Sequence, residues 1–136
     1  MPPVHSFVVH FPIALLFMAW GCDLYAWIRK RPEIARAAWL NQAVGTVGVI
    51  IAVASGLWAR QMLPPAAPPE ADVALHEQFA FAASALSLIL LFWRIARRGS
   101  IPADEQRTFL LLFTLAVVLI AATGYLGGTL VGHPGS

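Results

Sequence analysis

A chain of 136 residues that is 59% hydrophobic and 12% charged carries more apolar side chain than a soluble domain of that size can hide. Its length allows one domain, and its formal charge of +2 sits in short connections with no interleaved aromatics, which argues against nucleic acid and for anionic lipid. The one cysteine, Cys22, rules out an intramolecular disulfide.

Four apolar runs follow in order, at about residues 6–28, 39–59, 73–96 and 108–131. Each has roughly the 20 residues that cross a hydrocarbon core at about 1.5 Å per residue. The first has no cationic leader and is followed by basic residues, so it reads as a span and not as a cleavable signal. Within lipid every backbone group needs an internal partner, so continuous, non-alternating runs predict helices and not a β-barrel.

Three short connections join them. Residues 29–38, RKRPEIARAA, and 97–107, RRGSIPADEQR, are the basic ones. Between these lies 60–72, RQMLPPAAPPEAD, whose prolines predict an extended connector. In the last connection Pro102 suits a first helical turn, and Asp104 and Glu105 complement the dipole of the fourth helix. Short connections make neighbours antiparallel, which predicts an all-α integral membrane protein: a single domain, 1–136, folded as a four-transmembrane-helix up-down-up-down bundle.

Charge sets the expected orientation. Of the nine basic residues, Arg29, Lys30, Arg31, Arg36, Arg94, Arg97, Arg98 and Arg107 lie in or beside the first and third connections, and only Arg60 does not. Excess Lys and Arg marks cytoplasmic connections. A multi-pass protein of the bacterial inner membrane with both termini on the periplasmic side is therefore expected. Trp27, Trp39, Trp58 and Trp93 fall near span ends, as an aromatic belt predicts.

The four histidines, His5, His10, His76 and His133, all fall at the opposite end from the basic connections. His5 and His10 are about 140° apart around one helix, so they point to different faces and should not share one iron. The first and third helices of an up-down bundle are diagonal, with a gap of roughly 11–14 Å if neighbours are roughly 8–10 Å apart. Such a gap admits a heme held edge-on by two imidazoles. His10 and His76 are the preferred pair, because both lie at the edge of the apolar zone and an ionisable group within a span invites a functional reading. His5 and His133 would form a second site or serve as supporting, solvent-facing groups. The same four side chains would also suit copper or zinc.

Small residues mark close approach, either of helix to helix or of a flat macrocycle to a helix. Gly45, Gly48, Ser55 and Gly56 do so on the second span, and Gly124, Gly127, Gly128 and Gly132 at the end of the fourth. Asp23 is the remaining ionisable residue inside a span. It needs a partner or a proton, and Arg94 by charge or Asn41 by hydrogen bonding is the expected partner. A proton-relay role is the weaker reading, since no second buried carboxylate is in view.

The opening HSFVVHFPIALLFMAWGCDLYA resembles a family of bacterial predicted membrane proteins, domain of unknown function 2231. Its members typically begin with two histidines five residues apart, the second followed by Phe-Pro-Ile, as in His5, His10, Phe11, Pro12 and Ile13. His76-Glu77 is similar to the family's third-helix histidine. The ending ATGYLGGTLVGHPG, with Gly124, Gly127, Gly128 and His133, resembles its glycine-rich final motif. The chain departs from the pattern at Ser6, where a proline is usual, and at Val131-Gly132, where a tyrosine and a basic residue are usual. The resemblance implies no activity, although members often occur beside cytochrome or Rieske-type modules, which favours a redox role by association.

The functional expectation is a small b-type cytochrome with one or two hemes b bound through the histidines near the outer surface, with Gly124, Gly127 and Gly128 beside the macrocycle. Imidazoles on both faces of the iron favour electron transfer over catalysis. The bilayer is the expected partner, with a quinol or an outer-side redox protein for the electrons, and a homodimer sharing sites is compatible with two hemes. The rivals are a copper- or zinc-handling protein and a cofactor-free accessory membrane subunit.

Overall fold

The computed structural model describes residues 3–61 and 70–131, the side chains of 3–9, 59–60, 70–73 and 127–131 excepted. The described residues form four helices: α1, Pro3–Arg29; α2, Pro32–Gln61; α3, Glu70–Ala96; and α4, Ala103–Val131. All four contain stretches long and apolar enough to cross a membrane, at His10–Arg29, Pro32–Trp58, Ala74–Ala96 and Ala103–Leu126. The protein is an all-helical, multi-pass membrane protein. Large apolar side chains such as Met18, Ile28, Leu40, Phe92 and Leu111 stand exposed on its outside, where lipid is their solvent.

The helices outrun the apolar segments. The expected connection 29–38 shrinks to a turn at Lys30 and Arg31, because α2 already starts at Pro32. Hydropathy reports where the membrane ends, whereas the helix obeys local signals. PEIARAA opens with a proline whose missing N–H is not needed in a first turn, and continues with Glu33 against the positive end of the dipole. Likewise α4 begins at Ala103, inside the expected connection 97–107, and α3 begins at Glu70, ahead of the expected 73. Of the expected outer connection, 62–69 lies outside the described residues.

Both basic connections are closed by the same device. Lys30 (φ 53°) and Arg98 (φ 58°) adopt left-handed backbone. The next residue's N–H then reaches five residues back, from Arg31 to the Ala26 carbonyl at 2.9 Å and from Gly99 to the Arg94 carbonyl at 2.8 Å. This is the Schellman closure, which satisfies carbonyls that the helix end would otherwise leave bare. Glycine at 99 is favoured twice over. Its φ is +87°, and a Cβ there would lie 3.3 Å from the Trp39 indole nitrogen.

Packing divides the bundle into two hairpins. α1 lies closely along α2 and α3 along α4, while α2–α3 and α1–α4 contacts join the hairpins less extensively and leave α1 diagonal to α3. The α1–α2 seam is tight because Gly48 faces Pro12 and Gly45 faces Leu15 and Leu16. A Cβ at these glycines would come within 2.7 Å of the Pro12 ring and 2.9 Å of Leu16 Cγ. At Gly56 a Cβ would meet nothing within 4 Å. Gly48→Ala should therefore lower stability by about 1–3 kcal/mol through overpacking, while Gly56→Ala should be neutral or slightly stabilising, alanine being the better helix former. Thermal midpoints in detergent would check both; equal effects would contradict this packing.

The core fills the half of the bundle near the basic connections. Ala19, Leu90, Phe109, Phe113, Ala116 and Val117 form one buried cluster, with Trp20 and Trp93 against it. Phe109 meets Trp93 and Phe113 edge to face, at centroid distances of 5.4 and 5.8 Å. Trp93 also donates to Glu105 Oε2 at 3.0 Å, and Glu105 pairs with Arg97, so this belt tryptophan also secures the α3–α4 turn. Leu16, Val49, Ala83 and Ile120 continue the core toward the other end.

Candidate functional site

Two polar centres occupy opposite halves of the bundle. The first is Arg94, whose guanidinium is fully buried with Asp23 and Gln42. It donates from Nη1 to Asp23 Oδ2 at 2.8 Å and to Gln42 Oε1 at 2.6 Å, from Nη2 to Asp23 Oδ1 at 2.5 Å, and from Nε to the Gly99 carbonyl at 3.3 Å. The Phe109 ring lies under it, 5.3 Å from its centroid. The fork-to-fork geometry matches the planar guanidinium to the carboxylate and places opposite charges in contact. Through this one side chain α3 is tied to α1, α2 and its own closing turn.

The expected Asp23–Arg94 pair is thus present, but Asn41 is not its hydrogen-bonding partner. Asn41 Nδ2 donates to the Ala37 carbonyl of its own helix at 2.8 Å. The neighbouring Gln42, a turn of about 100° away, instead accepts from Arg94. The buried spacing of α2, through Ala38, Gln42, Thr46 and Val49, is the signal that identifies it.

These contacts also gather the ends of α1 and α3 with the starts of α2 and α4, since Asp23, Gln42, Arg94 and Phe109 meet there. An up-down order requires that arrangement. At the far half, Gly48 lies against Pro12, and a Cβ on Gly124 would be 3.7 Å from Ile13.

The second centre is the histidine end. Here the core loosens: among the described residues, none of 50–58, 74–82 or 121–126 is buried. Small residues, including Ala52, Ser55, Gly56 and Gly124, are half-buried at this end. His76 is half-buried too, seven residues before Ala83 and eleven before Ser87, on the line that runs through Leu90 to Arg94. It therefore stands at the far end of the buried stripe of α3.

His10 is exposed. The buried line of α1 is Pro12, Leu16, Ala19, Asp23 and Ala26, and position 10 lies about 160° around the helix from Pro12. Position 5 lies about two turns before Pro12, on that same line of α1, though its side chain is outside the described set. His10 and His76, the expected pair across the bundle, thus stand on an exposed face of α1 and at the end of the buried stripe of α3. His133 lies outside the described residues, and Gly127 and Gly128 belong to the part of α4 whose surroundings are not described. Among the described residues, no three of His, Cys, Asp and Glu gather as a metal-binding group.

A family model described as "Predicted membrane protein (DUF2231)" matches residues 1–135. No curated protein matches the chain, and no solved structure does.

Proposed function

The chain belongs to the DUF2231 family of predicted membrane proteins, and from that premise we propose that it is a small heme-binding electron carrier, its cofactor held at the histidine end of the bundle. The observation that carries the reading is the contrast between the two halves. One is sealed around Arg94, while the other has no buried residue among 50–58, 74–82 and 121–126 and carries half-buried His76 and several half-buried small residues.

These residues fit a heme. Neutral imidazole is a good axial ligand, and Gly56 and Gly124 remove the side chains that would hold a flat group away from α2 and α4. His76 on α3 supplies one imidazole. The register of α1 favours His5, in line with Pro12 and Leu16, over His10 for the other. Bound heme supplies a one-electron couple. The chain's own part is to orient the imidazoles and surround the macrocycle with apolar side chains, and its lipid-covered outer face keeps the carrier in the bilayer. A quinol or an outer-side redox protein is the proposed partner.

The absorption spectrum tests this. Protein produced with ample heme should show a Soret band that shifts on reduction. Folded protein without one would remove the cytochrome reading, and stoichiometric copper or zinc by elemental analysis would replace it with metal handling.

We also place the histidine end on the periplasmic side of a bacterial inner membrane, because Arg29, Lys30, Arg31, Arg36, Arg97, Arg98 and Arg107 crowd the other end. A reporter fused after Ser136 should be active only if it works outside the cytoplasm. Cytoplasmic activity would reverse the orientation.

A further inference from the structure

The hydroxyls of this bundle behave in two ways. Ser55, Ser84, Thr114 and Thr123 donate back to carbonyls of their own helices, at 2.7–2.9 Å. That is a common arrangement for Ser and Thr inside a helix, and it satisfies the hydroxyl within its own helix. Thr46 and Ser87 are buried more deeply, at 0% and 3% exposure, and do not do this. Thr46 Oγ1, Ser87 Oγ and Gln42 Nε2 are buried with no protein partner.

The orientation of Gln42 is not arbitrary. Arg94 has only donors to offer, so the Gln42 atom 2.6 Å from Nη1 must be the amide oxygen. Nε2 is thereby turned away from Arg94 with two N–H groups to place. Thr46 lies one turn further along α2, and Ser87 two turns back along α3. Both displacements lead away from the Gly99 turn, on helices that pack against each other. The three unsatisfied groups thus lie on the buried lines of two helices that pack against each other. Buried polar groups left bare cost free energy, and ordered water is their usual partner.

We propose that the α2–α3 seam binds ordered water through Gln42 Nε2, Thr46 Oγ1 and Ser87 Oγ, one shell beyond the Asp23–Arg94 pair. Water suits this set because it accepts from the amide and can accept from or donate to either hydroxyl. Chloride would also accept from all three. The charge of Arg94 is already matched by Asp23, however, so an anion would lie buried and uncompensated. The site places exchangeable protons in the middle of an apolar bundle, and it stands independently of any cofactor.

The test uses the whole protein in nanodiscs. Long-lived water should give cross-relaxation to backbone amides of 42–46 and 84–87. Thr46→Val and Ser87→Ala should each remove that signal and lower the thermal midpoint, by about 3–5 °C, since each leaves the bound water short of a partner. Thr46→Ser keeps the hydroxyl and should keep the signal. The proposal is overturned if the unmutated protein shows no such signal. It is equally overturned if Thr46→Val and Ser87→Ala raise the midpoint, because deleting a merely orphaned hydroxyl stabilises a core. Stability that depends on chloride, against gluconate at equal ionic strength, would make the occupant an anion and overturn it too.

Discussion

Asp23→Leu is expected to destabilise the bundle by about 3–5 kcal/mol, the usual cost of stranding one member of a buried ion pair. The carboxylate takes two of the four hydrogen bonds that Arg94 donates, and it supplies the counter-charge. Without it, a guanidinium buried to 1% exposure keeps only the Gln42 oxygen, the Gly99 carbonyl and the Phe109 ring. Arg94→Met should cost less than Asp23→Leu, because methionine fills much of the same volume while a carboxylate near Gln42 can still accept from its amide or take up a proton. The double variant Asp23→Leu/Arg94→Met should recover most of the loss, since apolar pairs often replace buried ion pairs without penalty. Unfolding in mixed micelles would measure all three. If Asp23→Leu alone unfolds no earlier than the unmutated protein, the pair is not the fastener described above.

Heme retention gives the second large effect. His76→Ala should reduce heme per folded protein to background, and His5→Ala should do the same, whereas His10→Ala should leave most of it. His76 stands on the buried stripe of α3, and residue 5 continues the line of Pro12, Leu16, Ala19 and Asp23. Residue 10 lies about 160° away from that line. His133→Ala distinguishes one heme from two, because a single-heme protein should keep its full content without it. Loss of heme in His10→Ala with retention in His5→Ala would restore the pairing that the apolar surroundings of His10 first suggested. Pigment content against a folded-state circular dichroism signal is the measurement.

Those surroundings do not by themselves define an inward face, for a physical reason. In water, a helix announces its inward face by being apolar there and polar elsewhere. In lipid both faces are apolar, so Val8, Val9, Phe11 and Ile13 around His10 report the membrane and not the interior. Length and hydropathy still define four helices, and the basic residues still mark one end. What identifies the inward faces is the minority of polar and small residues. Asp23 and Arg94 were readable as a pair from charge and depth alone. Gln42 was not, because it is one residue from Asn41 and only the line through Ala38, Thr46 and Val49 separates them. The helices outrun the apolar runs for a related reason: Pro32, Glu33 and Ala103 follow helical capping rules in a zone that hydropathy scores as loop.

The division into two hairpins has a consequence for biosynthesis. Asp23 and Arg94 are 71 positions apart, so at about 5–20 residues per second the carboxylate is made roughly 4–14 s before its guanidinium. The first hairpin, with its glycine seam complete, can enter the bilayer during that interval, but its Asp23 and Gln42 still wait for Arg94. The second hairpin thus arrives carrying the bolt for a socket already installed. A released chain that ends at Gln61 should leave an inserted hairpin that quality-control proteases recognise, and the full chain should hide it from them.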